Sequence, residues 1–414
     1  MSIPTFKSIS GRALPDMKKP SVSQIEYTPS IDWPLLLAFI SLTLFGLIAI
    51  GSSSMPYATR HFGEPLFFVE RQSIFLGLSA VLGILVFCMP TRLLERWGPV
   101  LLIFSLVLLC LVLVPGIGKV VNGSRRWLTL GPLNVQVSEA VKLFIIIYLA
   151  GYLVRRGEIV RNTWKGFISP MVLVLIADVL LLLEPDFGAA VVITAITAIL
   201  LFVAGVRITQ FVALGGLLAA LSTIVIVTSP YRLQRLASFL NPFDDPFGAG
   251  FQLTQSLIAI GSGSWFGVGL GSSVQKLFYL PEAHTDFVFA ILSEELGLFG
   301  AVAILAAYTF IVWRSFLISR AAYALGSHFS AYTALGIGCW IGLQSYINIG
   351  VNMGVLPTKG ITLPMLSYGG SSALIFVVSF AILMRIDFET RRQQSLSLKP
   401  SRKQQVMRAG RVYA

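Results

Sequence analysis

Tyr279-Leu-Pro-Glu-Ala-His-Thr-Asp286 leads without interruption into Phe287-Val-Phe-Ala-Ile-Leu-Ser-Glu-Glu295. A polar segment turns here into a strongly apolar one, the pattern of a loop entering a buried or membrane-spanning helix. Thr285 is a good N-cap residue, which makes Asp286 the first helical residue. There the positive end of the helix dipole favours an ionised Asp, while burial against protein or lipid disfavours it. A carboxylate held between those pulls suits proton transfer. It also suits a plain helix cap at a membrane interface, and the local pattern leaves both open.

The rest of the chain fixes the setting. Of its 414 residues, 55% are hydrophobic and 12% charged, and the mean hydropathy is +0.80. A soluble domain carries roughly twice that charged fraction. Apolar runs of about spanning length fall at 33–53, 72–89, 97–115, 138–154, 166–183, 187–205, 208–228, 286–312, 330–351 and 370–386. The expected fold is an all-α integral membrane protein of about ten transmembrane helices. An even count puts both termini on one side. That side holds more than twice as many Lys and Arg as the other, so both tails are expected to be cytoplasmic. The net charge of +12 follows this bias instead of forming a nucleic-acid surface. Cys88, Cys110 and Cys339 lie inside apolar runs with no disulfide or metal spacing.

Three regions follow. Residues 1–32 form a polar cytoplasmic tail, 33–386 the ten-span membrane domain, and 387–414 a basic cytoplasmic tail. One large extracytoplasmic loop, 229–285, is expected to carry short interfacial helices. Tyr231 to Leu240 places Leu233, Leu236 and Leu240 on one helical face, and Phe251 to Ile260 suits a second helix. The glycine-rich stretch Gly261–Gly271 lacks a nucleotide-binding context and reads as a flexible segment.

Charged residues within spans mark function or a buried pair. Glu139 and Lys142 lie three apart on one helix face, as for an ion pair. Glu184-Pro-Asp186 reads as a tight hairpin whose two acids could bind a cation or orient a headgroup. Glu294 and Glu295 lie about two turns beyond Asp286, and at about 80° only Glu294 can share its face. Gln344, Asn348 and Asn352, four apart, form a polar stripe that suits interhelical hydrogen bonding. Arg125, Arg126, Arg232, Arg235, Lys276 and Lys359 lie on the Asp286 side, against the inward bias of positive charge. Such cations suit a phosphate-bearing, lipid-linked substrate, although each alone reads as solvated loop charge.

Tyr279 to Ile291, Leu363-Pro-Met-Leu-Ser-Tyr-Gly-Gly-Ser-Ser372, Ser138-Glu-Ala-Val-Lys142 and Glu184-Pro-Asp-Phe-Gly188 resemble the SEDS family (shape, elongation, division, sporulation) over about residues 33–392. Ala283 and Leu356-Pro-Thr-Lys-Gly360 look more like its division branch than its elongation branch. The resemblance implies a peptidoglycan glycosyltransferase of the cell inner membrane, at the division septum, that polymerises lipid II onto a nascent glycan strand. It implies Asp286 as catalytic base and undecaprenyl pyrophosphate as leaving group. Substrate contacts fall to Glu139, Lys142, Arg125, Arg126, Lys359, Glu282, His284 and Gln255, with Asp186, Glu294, Ser367, Gly369 and Gly370 in support. Many members carry Gln where this chain has Glu184. The arginine directly before Trp127, Arg126, fits the family pattern better than Arg125 does. The implied partners are a class B penicillin-binding transpeptidase of division and other divisome membrane proteins. No cofactor is evident and the sequence shows no dedicated metal site, although a divalent cation (Mg or Mn) could share the pyrophosphate charge. The alternatives are a lipid II flippase and an elongation-type polymerase of the same family.

Overall fold

The computed structural model describes residues 31–121, 124–131, 133–228, 239–245, 247–248, 250–357 and 360–398. The expected interfacial helix at 231–240 falls mostly outside them, as do Lys359, Arg232, Arg235 and most of both tails.

Long apolar runs give long helices. These are α1 (Trp33–Phe62), α2 (Phe67–Cys88), α3 (Thr91–Leu113), α4 (Val137–Asn162), α5 (Trp164–Leu183), α6 (Phe187–Val203), α7 (Ile208–Val227), α8 (Phe251–Ser262), α9 (Val288–Ala324), α10 (His328–Asn352) and α11 (Gly370–Leu398). Each expected span coincides with one of them. Among the described residues eight are long and apolar enough to cross a membrane, while α6 and Ile208–Leu217 of α7 are shorter apolar helices. The chain is a multi-pass membrane protein. At the head of α1, Asp32 accepts from Leu35 N at 3.3 Å, and Pro34 fits the first turn. Asp32 is buried and pairs with Arg314 of α9 and, at 3.3 Å, with Arg391 of α11, which joins three helices at one end of the bundle.

Hydropathy did not reveal the short strands between α3 and α4. There β1 (Gly118–Val121), β2 (Ser124–Leu130) and β3 (Leu133–Gln136) form an antiparallel sheet in sequence order. Lys119 pairs with Trp127, and Trp127 with Gln136. The sheet marks one face of the bundle, called the sheet face below.

The core lies between α4, α9, α10 and α11, where Trp340, Tyr308 and Phe376 are fully buried. Close backbone approach matters there. A Cβ on Gly338 would stand 2.6 Å from Ser315 Cβ, and one on Gly342 3.1 Å from Val312 Cγ2, so the small residues of α10 let α9 dock tightly.

Three expectations about the stretch before and within α9 are overturned. Thr285 does not cap the helix, because its hydroxyl donates to the Glu282 carbonyl at 3.2 Å and to Glu282 Oε2 at 2.6 Å. Nor is Asp286 helical: residues 281–287 are turn, and the helix begins at Val288 with Phe287 as its cap. The glycine-rich segment is likewise not free to swing. It crosses α9 where Gly297 breaks the helix at φ 67. Val268 N and Gly269 N donate to the Glu294 and Glu295 carbonyls, both at 3.0 Å, and Leu298 N donates to Ser264 O at 2.9 Å. The break would otherwise orphan these groups at membrane depth, and the crossing segment satisfies them. Glycine is required because a Cβ on Gly267 would lie 2.1 Å from the Glu295 carbonyl.

Candidate functional site

A cavity of about 730 Å³ opens on the sheet face. Five parts of the chain build its wall: Arg71 and Phe75 of α2, the β-sheet with Arg126, Trp127 and Gln136, the Pro185 hairpin, the Pro281–Phe287 turn with Gln252 of α8 beside it, and the Gly360–Ser372 segment. Among the described residues, Glu282 and Asp286 are the carboxylates on that wall and Arg71 and Arg126 its cations. The cavity wall thus carries carboxylates and guanidinium groups together.

Asp286 is half-buried. Gly360 lies so close that a Cβ there would stand 3.2 Å from Asp286 Oδ2. His284 faces away from the opening. Its ring packs at 4.7 Å from Phe68 and 5.3 Å from Tyr57, and its carbonyl accepts from Tyr368 N at 2.9 Å. Burial pushes the imidazole down from its ordinary value, with Glu282 opposing, and the backbone bond ties the turn to the Tyr368 loop. Burial likewise pushes the Tyr368 phenol up, while Arg71 opposes it.

Strand alternation separates the two arginines. Arg126 reaches the cavity wall, where its Nε donates to the Glu184 carbonyl at 3.1 Å and its Nη2 to the Pro185 carbonyl. Arg125 turns to α3 and donates to the Leu113 carbonyl at 3.0 Å. Glu139 and Lys142 form the expected ion pair, at 2.8 Å, and both are buried. They stand behind the wall, and Ser372 Oγ, which lines the cavity, reaches Glu139 Oε2 at 3.5 Å. Asp186 caps α6 by accepting from Ala189 N at 3.1 Å. Ser367 accepts from Leu363 N at 2.8 Å and shapes the loop that carries Gly369 and Gly370 to the wall.

Other expected site residues lie elsewhere. Gln252, one turn before Gln255, lines the cavity, whereas Gln255 does not. Glu294 is committed to the loop after α8, accepting from Ser273 Oγ and, at 3.0 Å, from Val274 N. Lys276 is buried against Glu295 at 2.8 Å and offers no charge to the cavity. Sequence reasoning missed Arg71, Trp127, Gln136 and Tyr368 as wall residues. The outward position of Arg71, against the inward bias of positive charge, was the available signal. Among the described residues no three His, Cys, Asp or Glu side chains come together as a metal-ligand cluster.

Glu184 yields a stability prediction. It is fully buried beside Asp186, and among the described residues neither carboxylate oxygen has a hydrogen-bond partner. Burial, reinforced by the Asp186 charge and opposed by Arg126, pushes it up to about 8. Below the ordinary carboxylate range both folded and unfolded chains hold this proton. Between that range and about 8 only the folded chain keeps it, so stability falls as pH rises and levels off beyond. Glu184→Gln should flatten this slope and raise the melting midpoint at pH 8 relative to the parent. Midpoints in detergent from pH 5 to 9 check it, and parallel curves for the two proteins would refute it.

Similarity to known proteins extends over nearly the whole bundle. The family described as "Cell cycle protein" (FTSW_RODA_SPOVE) matches residues 33–392. The "Probable peptidoglycan glycosyltransferase FtsW" of Thioalkalivibrio sulfidiphilus is 52% identical over 367 residues, covering 89% of this chain and 92% of that protein. A solved structure described as "Structural coordination of polymerization and crosslinking by a peptidoglycan synthase complex" aligns with a TM-score of 0.73 at 31% identity, covering 87% of this chain and 98% of its own. The crystal structure of Thermus thermophilus rod shape determining protein RodA aligns with a TM-score of 0.64 at 28% identity, covering 86% and 97%.

Proposed function

Because the chain belongs to the FtsW, RodA and SpoVE family of cell cycle proteins, the SEDS family its motifs resemble, we propose that its sheet-face cavity polymerises lipid II into glycan strands for the division septum. The protein is a peptidoglycan glycosyltransferase. The observation that carries the reading of the site is Asp286 on the wall of one cavity with Arg126 and Arg71. Asp286 takes the proton from the 4-hydroxyl of an acceptor sugar, and that oxygen attacks the anomeric carbon of the donor. The bond from that carbon to the pyrophosphate breaks, with inversion. Undecaprenyl pyrophosphate leaves, and its charge is met by Arg126 and Arg71. Lys142, held by Glu139, acts from behind the wall. Lys359 and a divalent cation carried in with the substrate are further sources of positive charge.

The sheet face is extracytoplasmic in this reading, which puts both tails in the cytoplasm and the protein at the septal inner membrane. A class B penicillin-binding transpeptidase crosslinks the product, and other divisome membrane proteins complete the assembly. A flippase would need access to substrate from both faces and would not lengthen it. Purified protein in liposomes should convert lipid II into glycan strands, with and without the transpeptidase and with and without chelator. Transbilayer movement of lipid II with no lengthening under any of these conditions would replace this reading by transport.

A further inference from the structure

The polar stripe of α10 does more than join helices. Asn348 and Asn352 are buried, and their amides address backbone carbonyls of the site. Asn348 Nδ2 donates to the Asp286 carbonyl at 2.9 Å and to the Ile361 carbonyl at 2.6 Å. Asn352 Nδ2 donates to the same Asp286 carbonyl at 3.1 Å, and its Oδ1 accepts from Ala290 N at 3.1 Å.

That last bond explains where α9 begins. In a helix running from Asp286, Ala290 N would donate to the Asp286 carbonyl. Here Ala290 N is shared between the Phe287 carbonyl, at 3.1 Å, and Asn352 Oδ1. The two asparagines thus occupy both halves of the first bond of a longer helix and hold α9 back to Val288. Asn348 also fastens Ile361, next to Gly360, where a Cβ would stand 3.2 Å from Asp286 Oδ2. A single amide therefore ties together the turn bearing Asp286 and the strip of chain lying against its side chain.

We propose that Asn348, seconded by Asn352, is a positioning residue for Asp286: it keeps that residue out of the first turn of α9, so that the carboxylate faces the cavity beside Gly360. The inference rests on the reading of Asp286 as the base. A base displaced by about 1 Å can lose about a hundredfold in rate while substrate binding elsewhere is kept.

The test is lipid II polymerisation by the purified full chain. Asn348→Leu keeps the side-chain size and removes both donors. It should lower kcat about ten- to hundredfold and leave KM within about twofold. Asn352→Leu, which leaves one donor on the Asp286 carbonyl, should give a smaller kcat loss of the same kind, and it carries the test if Asn348→Leu does not fold. Asn348→Gln keeps the amide and should recover part of the rate. An unchanged kcat in either folded Leu variant would overturn the proposal. So would kcat, KM and melting midpoint worsening together with no recovery in Asn348→Gln, which would make Asn348 a packing residue. Asp286→Asn, assayed beside them, separates the two claims. Activity there removes the base itself, whereas its loss together with a normal kcat in the folded Asn348→Leu protein removes only the positioning role.

Discussion

Asp286→Asn should fold and enter the membrane normally and polymerise lipid II about a thousandfold more slowly than the parent, the usual worth of a positioned base. The bonds from Asn348 and Asn352 end on the Asp286 carbonyl, so an isosteric amide leaves them in place. Its amide cannot accept the hydroxyl proton at neutral pH, although it fills the same space beside Gly360. Lipid II binding should persist, because the cations on the wall are untouched. Glycan products separated by length, with a melting curve on the same sample, provide the measurement. Parental activity in a folded sample would remove Asp286 from the chemistry and leave it a structural acid of the turn.

The largest effect on folding is expected at Lys276→Met. Lys276 Nζ lies 2.8 Å from Glu295 Oε1, with side-chain exposures of 7% and 0%. Ser52 of α1 completes the group, accepting from Lys276 at 3.0 Å and donating to Glu295 at 2.6 Å. Removing the cation strands a buried carboxylate, which costs about 3–5 kcal/mol. Replacing both partners, as in Lys276→Met with Glu295→Leu, leaves no unpaired charge and should recover more than half of that loss. Thermal midpoints of the parent, the single and the double variant decide it; a double variant as unstable as the single one would mean that the ion pair is not what holds this group. The single variant should also lose activity, because the segment after α8 is pinned to α9 through this group and through Glu294.

Spans and the Glu139–Lys142 pair were legible because each rests on a local rule: length and apolarity for a span, three-residue spacing for the pair. The family motifs led to Asp286, Arg126, Gly369 and Gly370, all on the cavity wall. What escaped reading depends on partners far away in sequence. Thr285 has good capping chemistry, yet it is drawn to Glu282, while the helix start is set by asparagines more than sixty residues later. Glu294 and Glu295 sit on the chain that bears Asp286, but their loads come from the segment that crosses at Gly297. The sheet was hidden because three strands of four to seven residues leave no hydropathy signal against spans of twenty or more. Arg71 needed the fold to bring α2 beside the Tyr368 loop.

The crossing at Gly297 also bears on how such a chain can evolve. A Cβ on Gly297 would lie 2.4 Å from Gly267 N, and one on Gly267 2.1 Å from the Glu295 carbonyl. Both residues have positive φ, 67 and 80. The clash at each site is with main chain, so no change of neighbouring side chain makes room for it. A lineage cannot exchange either glycine in one viable step, and a compensating mutation at a third site has nothing to remove. Random mutagenesis under selection should therefore return these two positions unchanged, while exposed apolar residues further along α9, such as Val302 and Leu305, drift freely among apolar types.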